Sequence, residues 1–207
     1  MPGIVTKSIR NRRSMDKIKQ YHYKLYKPYG YISQFVSTQR YGYKKKYLGE
    51  LYEFHQGTMA IGRLDENSEG LLLLTTDGKV SDAINSNNYE KEYYAMVDGI
   101  IPSEAISQLQ KGVEIGFSGK KYMTRSCETF SIDTPTLPIT KQRIRNSRHG
   151  PTSWISITLT QGKFRQVRKM TAAIGFPTLR LVRVRIGEHT VEGLECGSCE
   201  AMAELLP

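Results

Sequence analysis

Asp65 lies two residues after Arg63 in the stretch AIGRLDENSEGLLLLTTDG (residues 60–78). A carboxylate can act as a nucleophile, a base or a stabiliser of positive charge, and a nearby arginine can bind phosphate through its planar guanidinium. The leucine run that follows predicts a buried strand, which would hold Asp65 rigidly. By itself the pattern favours the simpler interpretation, a turn with a surface ion pair at the entry to that strand.

Other common chemistries lack their motifs. The four histidines are not spaced as metal ligands, and no HExxH motif, paired CxxC motif or glycine-rich phosphate loop is present. The cysteines (Cys127, Cys196 and Cys199) are odd in number, which argues against a disulfide framework and for a reducing compartment. We therefore expect no metal, no cofactor and a cytoplasmic location.

The charge distribution predicts a polyanionic partner. The net charge is +10, and residues 141–185 contain eleven Lys or Arg and no Asp or Glu, whereas residues 187–207 contain five Glu and no Lys or Arg. Such a block favours nucleic acid over a solvated basic face. A membrane surface fits less well, because no basic amphipathic helix flanked by aromatic residues is predicted and no apolar run could span a bilayer.

The first twenty residues are basic and lack the apolar core of a secretory signal. We interpret residues 1–20 as a flexible basic arm, although their composition alone also permits a transit peptide. We expect residues 21–207 to form a single domain.

The hydrophobic periodicity alternates between strand and helix. Strands are predicted at 21–36 (interrupted by a turn), 70–76 (closed by an Asp77-Gly78 turn) and 91–101, with helices after Gly78 and from an N-cap at Ser103 to Gly112. Residues 117–150 are expected to be irregular, with a long surface loop at 133–151, followed by a half-buried antiparallel strand at 152–160. A helix after Gly162 would have a basic face (Arg165, Arg168, Lys169), and the next strand would present Arg183 and Arg185 together. The class is α+β.

Three separated stretches resemble the motifs of the RsuA-type ribosomal RNA pseudouridine synthases. GRLDENSEGLLLLTTDG (62–78) is similar to that family's signature, KEYYAMV (91–97) to its K-x-Y-x-x-x-V strand, and GKFRQVRKM (162–170) to its third motif. The segments KPYGYISQF and PTSWISITL are most similar to large-subunit members of type E.

The resemblance implies a role for each matched residue. Asp65 would be the catalytic aspartate, Tyr93 would lie against the target base and assist proton removal, Arg168 would pair with the aspartate, and Arg63 would hold the flipped nucleotide. Tyr93 could otherwise be a plain strand aromatic, and Arg168 a solvated helix charge. The remaining cations are assigned to the RNA backbone on their charge alone: Lys163, Arg165, Lys169, Arg183 and Arg185.

The family resemblance also implies a fold and a substrate. It implies a mixed, largely antiparallel sheet with flanking helices, in two sub-domains around a cleft, and isomerisation of uridine in large-subunit (23S) rRNA without a cofactor. Ser68 stands where threonine is common, which keeps the hydroxyl. Too few residues precede the first strand for the S4-like RNA-binding module of some relatives. We expect a monomer.

Two other functions remain open at this point. The chain could be a non-catalytic RNA-binding or ribosome-assembly protein with the same fold. It could also be a metal-dependent nuclease that uses Asp65, Glu66 and Asp77, because such enzymes gather carboxylates around metal ions.

Overall fold

The computed structural model describes residues 19–36, 45–86 and 89–206, so most of the predicted N-terminal arm lies outside the described residues. The strands are β1 (His22–Lys27), β2 (Tyr31–Ile32), β3 (Lys46–Tyr47), β4 (Met59–Ala60), β5 (Glu69–Thr75), β6 (Lys91–Asp98), β7 (Glu114–Phe117), β8 (Lys120–Met123), β9 (Glu128–Ile132), β10 (Thr152–Leu159), β11 (Thr178–Ile186), β12 (His189–Thr190) and β13 (Cys199–Met202). The helices are α1 (Gly78–Ser86), α2 (Ser103–Lys111) and α3 (Gln166–Ala173), with 3₁₀ turns at Leu48–Glu50 and Ser147–His149.

The described residues form one nine-stranded sheet in the order β13-β1-β5-β11-β6-β10-β9, with β12 beside β11 and β4 beside β5. Its strand pairs are antiparallel except for β5 and β11, which run parallel. The predicted α+β class with a largely antiparallel sheet is therefore confirmed. No helix in the described ranges is long and apolar enough to span a membrane.

Strand β5 is buried on both faces, as its leucine run predicted. Leu71 and Leu73 pack into one core cluster, and Leu72 and Leu74 pack into another on the opposite face. The following Asp77 differs slightly from expectation. Its carboxylate accepts a hydrogen bond from the Lys79 backbone N–H at 2.8 Å, so this residue caps the start of α1 rather than closing a free turn.

Helix α2 begins one position away from the predicted cap. Pro102 occupies the N-cap position and Ser103 is the first helical residue, because proline's fixed φ suits an extended residue before a helix. Gly112 ends the helix with φ +95°, as expected for a glycine stop.

The prediction that residues 117–150 are irregular is wrong for the first half of that segment. Strands β7 and β8 form a hairpin, and β9 pairs with β10 at the sheet edge. These strands are short and expose most side chains, so they lack the apolar alternation on which sequence prediction depends. Strand β10 is also more buried than predicted, since Ser156 and Thr158 are 1% and 7% exposed.

The two halves of the sheet meet where β5 lies beside β11, and this contact requires glycine. Gly70 has φ +101°, and a Cβ there would lie 2.2 Å from the carbonyl oxygen of Arg183. Only two residue pairs join these strands, Glu69 with Val182 and Gly70 with Arg183. The close approach therefore sets the distance between the halves.

We predict that Gly70→Ala lowers the free energy of unfolding by about 2–4 kcal/mol, because alanine is strained at positive φ and its methyl group would push the strands apart. The control is Gly78→Ala in α1, where a Cβ meets nothing within 4 Å. That variant should be unchanged or more stable by up to about 1 kcal/mol. Urea unfolding of both proteins measures the difference, and equal stabilities would contradict the prediction.

Lys27, at the end of β1, is fully buried. Its ammonium donates to the carbonyl oxygens of Pro28 and Tyr31 at 2.9 and 2.6 Å. Burial lowers the pKa of Lys27 to about 7, although the nearby Glu69 carboxylate opposes this shift. Glu69 is itself held by the guanidinium of Arg180 at 2.8 Å.

The depressed Lys27 pKa predicts a pH dependence of stability. Between about pH 7 and the ordinary lysine pKa of 10.5, the unfolded chain binds a proton that the folded chain has released, so stability rises with pH. Relative to Lys27→Met, the native protein should therefore gain up to about 4 kcal/mol across this range. Urea unfolding of both proteins from about pH 6 to pH 10 tests this. If the free energies of unfolding of the two proteins change in parallel with pH, Lys27 keeps its proton in the folded protein.

Candidate active site

A pocket of about 270 Å³ opens beside the junction of β5 and β11. Its described lining residues are Gly62, Arg63, Leu64, Asp65, Ser68, Asn85, Lys91, Tyr93, Leu159, Thr160, Gln161, Gly162, Lys163, Arg165, Gln166, Val167, Leu181 and Arg183. The volume is near the lower end of small-ligand pockets, which start at roughly 300 Å³. A pocket of this volume fits one flat ring with an attached sugar better than several linked nucleotides.

The pocket collects one carboxylate and five cations. Asp65 is the only acidic side chain among the described lining residues, and it is half-buried. The cations are Arg63, Lys91, Lys163, Arg165 and Arg183. Such an excess of positive charge favours an anionic ligand and favours negative charge that develops within the pocket.

The backbone immediately before Asp65 is clamped by Ser33. The Ser33 hydroxyl donates to the carbonyl oxygen of Leu64 at 2.9 Å and accepts from the Leu64 N–H at 3.0 Å. Both groups are buried, so each would otherwise lose hydration without compensation. Residue 33 follows β2, which explains why the strand-turn-strand segment belongs to the site.

The backbone after Asp65 is held in the same way. The Asp65 carbonyl accepts from the Ser68 N–H at 3.0 Å, and the Glu66 carbonyl accepts from the Gly30 N–H at 2.8 Å. The Asn67 carbonyl accepts from the Arg168 guanidinium. Together with Ser33, these contacts fix the segment 64–68, which we name the aspartate loop.

Arg168 lies against the aspartate loop but does not line the pocket. Its guanidinium donates to the carbonyls of Asn67 and Thr178, at 2.5 and 3.2 Å. The ion pairs within 4.0 Å in the described ranges include none between Arg168 and Asp65. Burial lowers the pKa of Arg168, Arg165 lowers it further, and Asp65 opposes this. The geometry makes Arg168 a bridge from α3 to the loop.

Tyr93 and Arg183 lie on neighbouring strands of the sheet. They are paired residues of β6 and β11, and both line the pocket. Lys91, two residues before Tyr93, lines it as well, and its ammonium donates to the Tyr89 carbonyl at 3.0 Å. Tyr93 and Asp65, far apart in sequence, are thus brought to one pocket.

Arg165 lies outside the helix on which it was predicted. Helix α3 begins at Gln166, and Arg165 precedes it in the left-handed conformation, with φ 53° and ψ 35°. This conformation is uncommon for a residue with a Cβ. The Gln166 side chain holds the turn, because its amide oxygen accepts from the Lys163 N–H at 3.0 Å and its amide nitrogen donates to Gln161. Arg165 therefore lines the pocket instead of the helix face.

Lys163 and Lys169 lie beside the β7–β8 hairpin. The Lys163 ammonium is 5.0 Å from the centre of the Phe117 ring and 5.3 Å from that of Tyr122. The Lys169 ammonium donates to the Gly116 carbonyl at 2.8 Å and lies 5.5 Å from the Phe164 ring centre. Phe164 is 67% exposed. We call this group the hairpin ledge: Phe117, Tyr122, Lys163, Phe164 and Lys169.

The predicted basic face of β11 does not form. A change of register between Arg183 and Arg185 separates the two arginines. Arg183 is 2% exposed at the pocket, whereas Arg185 pairs with Glu92 at 3.0 Å and Glu90 at 3.1 Å. Strict alternation of side chains along β11 would place both arginines on the same face of the sheet. The bulge between them removes this shared orientation.

For three residues of the site, the sequence alone predicted no role. Ser33 carries no local signal, because its importance depends on the fold bringing it to Leu64. Lys91 and Gln166 fall within two of the quoted motifs. Lys91 could have been suspected as a charge at the start of a central strand, and Gln166 as a polar residue that is 4% exposed in the structure.

A mixed sheet that holds a lone carboxylate in a cationic pocket defines an enzyme domain suited to a nucleic-acid substrate. A family model described as RNA pseudouridylate synthase matches residues 21–173. The chain belongs to this family, and the resemblance noted from its motifs is confirmed.

The chain is 39% identical over 173 residues to "Ribosomal large subunit pseudouridine synthase E" of Vibrio parahaemolyticus serotype O3:K6 (strain RIMD 2210633), a match that covers 83% of this chain and 69% of the relative. It is 37% identical over 173 residues to the protein of that name from Xanthomonas axonopodis pv. citri (strain 306), covering 82% and 87%. A solved structure titled "Crystal structure of pseudouridylate synthase" superposes with a TM-score of 0.68 at 23% identity, covering 89% of this chain and 70% of that one, which supports the fold.

We predict that Arg168→Ala slows the single-turnover reaction by about 10²-fold, because the aspartate loop loses an anchor and small misplacements of reacting groups are costly. The dissociation constant for RNA should change by less than about threefold. Arg168→Lys should be intermediate, since a single ammonium cannot reach both carbonyls.

The matched comparison is Lys169→Ala, one position along α3, which should weaken RNA binding and leave the saturated rate nearly intact. Filter binding and single-turnover assays measure both quantities. An Arg168→Ala protein that loses affinity alone would make Arg168 a phosphate contact instead.

Proposed function

We propose that this protein isomerises a specific uridine to pseudouridine in ribosomal RNA, with the large-subunit rRNA as substrate. The observation that carries the proposal is Asp65, a lone carboxylate fixed at the backbone inside a pocket of five cations. The names of the similar proteins from Vibrio and Xanthomonas support the choice of substrate.

The arrangement of charges suits a flipped nucleotide. Arg63 and Arg165 are exposed at the pocket, where the backbone phosphates of RNA would pass. The uridine must leave its stack to reach Asp65, which costs a few kcal/mol. Tyr93, half-buried in β6, offers a ring against the base.

The reaction breaks the N1–C1′ bond and forms a C5–C1′ bond, with no net oxidation or reduction. The uracil departs with the bonding electron pair, turns, and attacks C1′ through C5. C5 then loses its proton and N1 gains one. Asp65 acts at the sugar, either by bonding to C1′, from which C5 later displaces it, or by accepting the C2′ proton and returning it as the C5–C1′ bond forms. Tyr93 assists removal of the C5 proton.

The hairpin ledge provides a surface for the neighbouring nucleotides. Phe164 is exposed between two pocket cations in sequence, Lys163 and Arg165, and an unstacked base can lie on an aromatic ring. Lys163 and Lys169 would contact the adjoining phosphates. We expect a monomer to suffice, because the pocket is built from one chain, and we place the enzyme in the cytoplasm, which fits its free cysteines.

Replacing Asp65 by asparagine tests the proposal. Asp65→Asn keeps the shape of the side chain but removes its charge and basicity, so release of tritium from C5 of labelled rRNA should fall by at least about 10³-fold. The matched control is Glu66→Gln, the adjacent exposed carboxylate, which does not line the pocket and should retain activity. Substantial turnover by Asp65→Asn would refute the role of Asp65.

Mapping of pseudouridines in rRNA with and without the gene separates the proposal from an RNA-binding role. A missing pseudouridine supports catalysis, and an unchanged map favours a non-catalytic protein. Magnesium-dependent cleavage of RNA would favour the nuclease, although Asp65, Glu66 and Asp77 do not group into a metal-binding cluster among the described residues.

A further inference from the structure

Arg183 is a buried cation with unused hydrogen-bonding capacity at the pocket. The residue is 2% exposed, its Nε donates to the Leu71 carbonyl at 2.8 Å, and its Nη2 is buried without a hydrogen-bond partner. Of the ion pairs between described residues, none involves Arg183. An unpaired charge in the interior costs several kcal/mol, so its position calls for a ligand that compensates it.

The sheet holds Arg183 at a fixed position on the pocket wall. Its backbone lies between Tyr93 on β6 and Gly70 on β5, and it packs too closely against Gly70 to admit a Cβ. Strands on both sides restrain it, whereas the exposed Arg63 and Arg165 come from loops. Arg183 therefore reaches the pocket from the sheet as a buried cation, whereas Arg63 and Arg165 are exposed to solvent.

Arg183 also lowers the pKa of two lysines, Lys91 and Lys27. Burial lowers the pKa of Lys91, and the guanidinium of Arg183 lowers it further; Arg183 acts in the same direction on Lys27. Guanidinium groups remain protonated in proteins. Arg183 therefore keeps its positive charge in the pocket.

The isomerisation creates a negative charge where such a cation is useful. When the N1–C1′ bond breaks, the electron pair stays on the uracil and spreads over its ring oxygens and nitrogens. Phosphates stay on the RNA backbone at the exposed mouth, so the group that reaches a buried donor is the base. A fixed donor aimed at developing charge stabilises the transition state more than the substrate.

We propose that Arg183 donates from its guanidinium to a uracil oxygen and stabilises the base as an anion while it is detached from the sugar. This inference rests on the proposed pseudouridine synthase function. It makes Arg183 a catalytic residue, in place of the RNA-backbone contact that its charge alone indicated.

The test compares Arg183→Gln with the native protein on two rRNA fragments, one with uridine and one with 5-fluorouridine at the target. Fluorine withdraws electrons, so the fluorinated base stabilises its own anion and needs the arginine less. Because fluorine also blocks the last proton loss, breakage of the N1–C1′ bond is followed for both by disappearance of the target nucleoside after digestion.

With uridine, Arg183→Gln should lose about 10²–10³-fold in single-turnover rate, with RNA affinity changed by less than about threefold. With 5-fluorouridine the loss should shrink by at least about tenfold. Arg183→Lys keeps the positive charge but lacks the planar guanidinium, so its rate should be intermediate. This variant is measured instead if the glutamine variant does not fold.

The matched control is Arg180→Gln on the same strand. Arg180 is also buried but is already paired with Glu69, so its loss should lower stability and affect both substrates equally. Equal losses on both substrates for the Arg183 variants, or a loss of affinity alone, would overturn the inference. Absence of pseudouridine formation by the native protein would instead overturn the proposed function.

Discussion

The close contact between Gly70 and the backbone of Arg183 sets the geometry of the pocket. It joins β5, which is preceded by the aspartate loop, to β11 and β6, which carry Arg183 and Tyr93. A side chain at residue 70 would separate the Asp65 carboxylate from Arg183 and Tyr93. Packing in the interior is dense and deforms little, so this single approach fixes the spacing of residues that lie more than a hundred positions apart.

Local patterns predicted the elements better than they predicted the site. The leucine run marked β5, and the apolar spacing marked α2 and α3, because these signals depend only on neighbours in sequence. The motif resemblance placed Asp65 and Tyr93, which the structure brings to one pocket. The clamp by Ser33, the bulge before Arg185 and the left-handed Arg165 arise from tertiary contacts, so no local pattern encodes them.

The basic block at residues 141–185 illustrates how three-dimensional pairing changes the meaning of sequence charge. Arg145, Arg180 and Arg185 form ion pairs with acidic residues that precede the block in the sequence. The guanidinium of Arg168 donates its hydrogen bonds to backbone carbonyls. The positive charge available to an RNA is therefore smaller than the number of basic residues in the block suggests. Three of the basic residues in the block, Lys163, Arg165 and Arg183, line the pocket.

The aspartate loop is held almost entirely through its main chain. Ser33, Gly30 and Arg168 bind backbone groups of Leu64, Glu66 and Asn67, and the side chains of Glu66 and Asn67 are exposed. The position of the Asp65 carboxylate is therefore largely independent of which side chains occupy residues 66 and 67. Those two positions can vary without moving Asp65, so the exposed surface next to the pocket can change while the pocket itself keeps its geometry.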